Sequence, residues 1–294
     1  MADNKARAIL GLLAETPVHA GAGSSLGVVD LPIQRETHTQ WPCIYGSSVK
    51  GALRDCASEC SSADKWIDDV FGPEPEAGET GGGHAGALSV GEGRLLLLPV
   101  RSLTTHFKWV TCAAALARLA ADSCRLGIKL CIPGSVLAPE GSHEALVHND
   151  GRNNGQQLYL EELCLTQKPV DLGDLIGLLA TLMGSEGATA ALARQLVIVD
   201  NDLFGHLARV ATPVSAHNAL TDEKRSKNLW YEETLPPETL LYLCLDAGPS
   251  RREHSSMGAP EVLGKVTGLF PGYLRIGGNE TVGMGWFRVS ARSS

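Results

Sequence analysis

The stretch Pro17–Asp55, PVHAGAGSSLGVVDLPIQRETHTQWPCIYGSSVKGALRD, decides how this chain is read. A glycine- and serine-rich run from Gly21 to Gly27 follows an apolar strand candidate and leads into a short apolar segment carrying Asp30. Gln34, Arg35 and Glu36 come next. Gly46-Ser47-Ser48 then opens a helix that carries Lys50 and Arg54. Glycine removes the Cβ and lets backbone N–H groups approach an anion. A helix opening at Ser47 or Ser48 adds unpaired N–H donors and a positive dipole end. Asp30 is a lone carboxylate amid this anion-friendly backbone, so the chemistry to expect is a phosphodiester held beside an acid. The plainer alternative is a long surface loop followed by a capped helix. Against it, connections longer than about 12–15 residues in compact domains are usually functional or disordered. No GxxxxGK[ST] occurs, and GAGSSLG lacks dinucleotide-loop spacing because Asp30, Pro32 and Pro42 stand where a helix should begin. Rossmann and P-loop nucleotide binding are therefore excluded.

Around this stretch, 294 residues at 44% hydrophobic and 20% charged describe a globular chain that can bury a core. A net charge of −8 argues against loose, charge-driven nucleic-acid binding but leaves room for a local basic groove. Basic residues cluster in Lys224-Arg225-Ser226-Lys227 and in Arg251-Arg252. The eight cysteines form no CxxC pair and no Cys/His zinc spacing. Cys56 and Cys60, four apart on a helix, read as packing before metal binding. MADNKARAIL carries no signal-peptide pattern and no apolar run is long enough for a bilayer, which predicts a cytoplasmic protein with reduced thiols and no membrane partner.

In chain order, Ala6–Glu15 reads as a buried strand and Ser47–Glu59 as a helix with Val49, Leu53, Cys56 and Ala57 on one face. Ala63–Phe71 is a second helical piece. Gly72–Gly86, acidic and of low complexity, reads as a flexible insertion with a solvated His84. Ala87–Val100 is a strand broken at Gly91–Gly93, Val110–Ser123 a helix, Leu126–Ile132 a strand, Pro133–Gln156 a polar connection and Leu158–Leu165 a strand. Helices at Leu172–Met183 and Ala188–Gln195 precede a buried strand at Leu196–Asp200 and a short helix at Asp202–Arg209. Ala211–Glu233 has two strand-like arms around a polar, basic tip at Thr221–Asn228, a long hairpin. Thr239–Leu245 is a strand, Pro260–Leu269 a helix, and Tyr273–Val289 two strands around glycine turns. Gly277-Gly278 and Gly283-Met284-Gly285 there signal close backbone approach to a ligand or neighbour. The irregular alternation predicts an α+β fold, a mixed or antiparallel sheet with helices on one face.

ETPVHAGAGSSLGVVDLPIQRE, PCIYGSSVKGALRD, LWYEETLPPETL and IGGNETVGMGWFRV together closely resemble the backbone RAMP subunit of type III-B CRISPR effector (Cmr) complexes, in the Cas-seven group. The matching segments reach from Glu15 to Val289. The resemblance implies a single RAMP domain over residues 1–294, with a ferredoxin-like, RNA-recognition-motif core, insertions and a β-hairpin thumb at Pro213–Glu233. It implies copies stacked head-to-tail on a CRISPR guide RNA beside other Cmr subunits. Each copy would cut the paired single-stranded target RNA at regular intervals with a divalent metal, Mg²⁺ or Mn²⁺. Asp30 falls on the family's catalytic aspartate and would be the metal ligand or general base. His19 matches the histidine of TPVHAG, which would lie near that catalytic site, and Glu232 falls in WYEE at the thumb base and would approach the cut site from a neighbouring copy as a further catalytic residue. Arg35, Ser47, Ser48, Lys50 and Arg54 match the segments that hold the guide backbone, and Gly278, Asn279 and Met284 the glycine loop near RNA.

The residues alone leave alternatives open. His19 is equally a structural hydrogen-bonder, Lys50 and Arg54 a solvated helix face, and Glu232 a surface carboxylate beside Glu233. Trp230 and Tyr231 read as packing at the thumb base, as do His217 and Met284 elsewhere. Two other activities stay in play: a non-catalytic structural guide-binding subunit, and a standalone guide-processing ribonuclease.

Overall fold

The apolar run ARAILGLLA forms β1 (Ala6–Ala14), buried along almost its whole length. A computed structural model describes residues 4–60, 66–74, 83–130, 132, 137–149, 151, 155–270 and 272–293. After β1 come β2 (Cys43–Ile44), α1 (Gly46–Cys60), α2 (Trp66–Phe71), β3 (Leu88–Val90), β4 (Gly93–Arg101) and β5 (Phe107–Cys112). The middle of the chain holds α3 (Ala113–Leu126), β6 (Glu144–His148), β7 (Gln157–Leu160), β8 (Leu163–Val170), α4 (Gly173–Met183), α5 (Ala188–Gln195), β9 (Leu196–Val199) and α6 (Asn201–Val210). The last part holds β10 (Val214–Leu220), β11 (Ser226–Glu233), β12 (Leu240–Ala247), α7 (Ala259–Thr267), β13 (Tyr273–Arg275) and β14 (Trp286–Ser293).

Twelve strands make one sheet in the order β13-β14-β1-β12-β4-β5-β9-β6-β8-β7, with β2 paired to β4 and β3 to β12. Among the described strand pairs only β5–β9 and β6–β8 are parallel, so the sheet is mixed and mainly antiparallel. β1 lies between β12 and β14, pairing Ile9 with Cys244 and Arg292, which joins the two ends of the chain in one sheet. β10 and β11 stand apart as a two-stranded hairpin.

The strands explain their burial. Leu10 and Leu12 of β1 face a core built with Val49 and Leu53 of α1, Val70 of α2, Phe204 and Leu207 of α6, and Val262 and Val266 of α7. Ile9 and Leu13 face the opposite core, with Leu116 and Leu119 of α3, Leu175 and Leu179 of α4, and Leu192 of α5. Both faces are therefore covered, which corrects the expectation of helices on one face. Runs without polar–apolar alternation, such as LLLL in β4, suit strands buried on two sides. Gly11 lets α4 pack directly on β1: an added Cβ would collide with the carbonyl oxygen of Leu182.

Five local expectations also change. The helix starts at Ala113, and Val110–Cys112 belong to β5. The Ala/Leu-rich signal runs backwards into a β-branched segment that pairs with β9. Leu126 ends α3, and Gly127–Leu130 form no strand, because Gly127 closes the helix in the left-handed conformation at φ 69°. β6 lies within the segment read as a polar connection, and the single strand expected at Leu158–Leu165 is the hairpin β7–β8 turning at Glu161-Glu162. His84 Nε2 donates to Asp68 O at 3.0 Å and is part-buried rather than solvated. Of the flexible insertion read at Gly72–Gly86, residues 75–82 lie outside the described residues. Among the described residues no helix is long and apolar enough to cross a membrane.

Candidate nucleic-acid interface and cleavage site

Residues 17–45 fold as a flap bridged to the β11 end at two places and to itself at two more. Isolated bridges join Val18 to Leu235, Gly21 to Ile33, Leu31 to Glu232 and Arg35 to Pro42. Gly21–Val28 is the exposed tip, where Leu26 and Val28 lie open to solvent. Trp41 anchors the flap's far end, edge-on to Phe204 of α6 at 4.8 Å, with Arg118 stacked on its ring.

Three successive residues at the end of β11 each hold a part of the flap. The Tyr231 N–H donates to Asp30 Oδ2 at 2.8 Å, and Leu31 N–H donates to Tyr231 O at 3.0 Å. Asp30, half-buried, therefore stands at the thumb base with its backbone tied to Ser25. Glu232 is only 4% exposed; its Oε1 accepts from the Asn279 amide and lies 3.7 Å from His19 Nδ1. Glu233 turns the other way. Its carboxylate accepts from Ile33 N–H at 3.1 Å, Arg35 at 2.5 Å and Thr212 Oγ1 at 2.6 Å. Its backbone carbonyl lies 2.8 Å from His19 Nδ1. A carbonyl only accepts, so Nδ1 carries the hydrogen and Nε2, on the Gly21 side of the ring, is the nitrogen free to take or give a proton.

The glycine loop closes the other side. Gly278 N–H donates to His19 O at 2.9 Å, and Gly285 N–H to Pro17 O at 3.0 Å. A Cβ on Gly277 (φ 107°) would stand 2.7 Å from His19 O, so the neighbour that requires this glycine is the histidine's own backbone. Asn279, in the left-handed region at φ 61°, aims its amide at Glu232 and, at 3.7 Å, at Met284 Sδ. His19, Glu232, Gly278, Asn279 and Met284 thus come together, with Asp30 held one residue along β11.

The basic residues divide. Gln34 links the flap to α1: its amide donates to Ser48 Oγ at 3.1 Å and its carbonyl accepts from Tyr45 N–H at 2.6 Å. Ser47 is exposed at the positive end of the helix. Lys50 is half-buried; burial first, then the like charges of Arg54 and Arg251, pull its ammonium below the ordinary lysine value. Arg54 donates to Gly72 O at 2.5 Å and lies 3.6 Å from both Asp68 and Glu74. Arg35 differs from the expected guide contact. Its guanidinium is spent on Gln40 O, Ala208 O, Thr212 and Glu233, and its side chain is 15% exposed, so it clamps the flap internally. Glu232 is likewise no surface carboxylate. Sequence reading passed over Glu233, Thr212 and Gln34; the EE pair ending an apolar hairpin arm, where the strand re-enters the core, is the signal that could have found Glu233.

On the hairpin, His217 and Trp230 stack at 5.5 Å and 15°, while Leu220, Leu229 and Tyr231 are exposed. The arms emerge from the body at Val214 and Glu233, so the tip at Thr221–Arg225 is displaced from the core and carries Lys224 and Arg225.

Comparisons with known proteins agree with this architecture. The family model of the RAMP superfamily matches residues 12–288. The chain is 35% identical to the CRISPR system Cmr endoribonuclease Cmr4 of Pyrococcus furiosus, over 97% of this chain and 95% of that protein. A crystal structure of oligomeric Cmr4 from Pyrococcus furiosus superposes with a TM-score of 0.74 at 27% identity, covering 98% of each chain. A cryo-EM structure of the type III-B Cmr-beta complex bound to cognate target RNA contains a chain that shares the fold, with a TM-score of 0.72 at 17% identity, covering 97% of this chain and 96% of that one.

Proposed function

The chain belongs to the RAMP superfamily, and within it to the Cmr4 family, and from this membership and the site geometry we propose that it is a guide-RNA-binding backbone subunit of a type III-B CRISPR complex that cuts guide-paired target RNA. The observation that carries the reading is the thumb base. Tyr231, Glu232 and Glu233 fix Asp30, His19 and the flap in one place, where an RNA lying along the hairpin would meet them.

Cleavage of RNA by its own 2′-hydroxyl needs that hydroxyl activated, the phosphate charge met and the leaving 5′ oxygen protonated. Asp30 supplies the carboxylate at the first position. Among the described residues no group of three His, Cys, Asp or Glu could cage a metal. A single aspartate fits instead a hard cation, Mg²⁺ or Mn²⁺, that takes its other ligands from water and RNA phosphate. Bound there, the cation would neutralise phosphate charge. His19 Nε2 would give the leaving 5′ oxygen its proton, and Glu232 lies 3.7 Å from the ring. Lys50 and the α1 terminus hold guide phosphates; an anion beside Lys50 relieves the crowding by Arg54 and Arg251. Guide pairing supplies sequence specificity, so the net acidic chain needs only one basic face.

Copies stacked head-to-tail along the guide would each bring one site, giving cuts at a fixed spacing. The test is a sequencing gel of target RNA cut by the complex reconstituted on guide RNA, with Mg²⁺ or with EDTA. Evenly spaced cuts that disappear in EDTA are expected. Irregular cuts, or cuts indifferent to EDTA, would overturn the reading.

A further inference from the structure

Resting on the cleavage reading above, we infer that Asn279 is a positioning residue for the reaction, acting through Glu232 on His19 rather than touching RNA. Three observations carry this. The Asn279 amide is turned inward, onto Glu232 Oε1 and Met284 Sδ. That same Glu232 oxygen is the one nearest His19 Nδ1, at 3.7 Å. The turn that presents the amide is built for it: Asn279 sits at φ 61°, a left-handed conformation that asparagine tolerates, and its carbonyl accepts from Val282 and Met284 N–H.

The chemistry gives the amide a purpose. A carboxylate 4% exposed keeps its charge only if donors replace the lost water. Asn279 supplies a neutral donor that cannot titrate and so leaves the charge available to the imidazole. The other charged groups on the elements packed around His19 include Asp30, Arg35 and Glu36 of the flap, Lys227 and Glu233 of β11, and Arg275 and Glu280 beside the glycine turn; Glu36 is paired with Arg118. Glu233 is paired with Arg35 and Glu280 lies 3.8 Å from Arg275, while Asp30 accepts from Tyr231 N–H. Among the described residues, Glu232 is the carboxylate that comes within 4 Å of the ring, at 3.7 Å. Losing the amide lets the Glu232 carboxylate turn away from the ring, which removes the negative charge held beside His19.

The test uses the full chain assembled on guide RNA, in single-turnover cleavage across pH 5–9 with target affinity measured alongside. Asn279→Gly deletes the amide and keeps the left-handed turn, so the loop retains its path. Expected are unchanged target affinity, cleavage slower by about tenfold or more, up to the roughly 10²–10⁴-fold that a proton-transfer group itself supplies, and an alkaline limb moved to lower pH. Glu232→Gln should move the limb the same way, and the double variant should be no slower than the slower single one. Weakened target affinity with an unmoved limb, or additive losses, would overturn the inference and make Asn279 an RNA contact. Asp30→Ala in the same assay separates the two readings. If Asp30→Ala still cuts, the cleavage reading fails. If Asp30→Ala is inert and Asn279→Gly cuts like wild type, the positioning role alone fails.

Discussion

Glu233→Ala is the substitution whose cost can be worked most directly from the structure. The Glu233 carboxylate, 8% exposed, meets Arg35 at 2.5 Å, Thr212 at 2.6 Å and Ile33 N–H at 3.1 Å. An exposed pair of this kind would contribute under about 1 kcal/mol. Here the variant leaves a guanidinium 15% exposed without its counter-charge, and removing one partner of a buried pair costs about 3–5 kcal/mol. Arg35 keeps the carbonyls of Gln40 at 2.6 Å and Ala208 at 2.8 Å, which places the loss near the lower end, about 3 kcal/mol. With an unfolding entropy of about 2.1 cal/mol/K per residue, a chain of 294 residues loses about 5 °C of Tm. Glu233→Gln keeps the acceptor and should lose less. Scanning calorimetry at neutral pH reads both. A Tm for Glu233→Ala within about 1 °C of wild type would match a surface pair and refute the claim that this carboxylate locks flap to thumb.

Other outcomes follow from the same contacts. Burial would raise the Glu36 carboxyl, but Arg118, bonding both oxygens at 2.7 and 2.9 Å, and Thr39 hold it below its ordinary value of 4.5. Its contribution to stability is therefore present above about pH 4.5 and fades as pH falls through the lowered folded value. The Tm gap between wild type and Glu36→Gln should narrow in that acidic window, and a gap constant down to pH 3 would contradict it. Lys50→Ala should weaken guide-RNA binding and lower the slope of log K against log salt by about one; an unchanged slope removes Lys50 from the phosphate contacts. Cys43 is buried and its thiol pushed up to about 12, whereas Cys60, Cys124 and Cys164 are exposed. Peptide mapping after brief thiol alkylation at pH 8 should find those three modified and Cys43 intact.

The parts of this molecule legible in sequence are those where a local signal and the fold agree. β1, α1, β9 and the β10–β11 hairpin stand where apolar pattern and turn residues place them, because each is decided by its own segment. β5 was hidden because FKWVTC runs without a break into the alanine-rich α3; pairing with β4 on one side and with β9, far along the chain, on the other makes it a strand. β6 escaped because five residues, EALVH, sit among polar ones and gain strand character from pairing with β8 and β9. At the candidate site, Asp30 stood out by its glycine setting and His19 by resemblance, and the fold brings both to the end of β11. The inward turn of Arg35 was not, since Glu233 lies 198 residues away in sequence. The burial of Glu232 was likewise set by Asn279, 47 residues further on. Charged residues read as surface until the fold supplies their partners.

Single-turnover cleavage of target RNA by the complex assembled with Asp30→Ala, with target affinity measured on the same preparation, tests the central claim most directly. The account predicts intact affinity and loss of every regularly spaced cut. Cuts that persist at wild-type rate would move catalysis to another residue or another subunit and leave this chain as the scaffold of the guide.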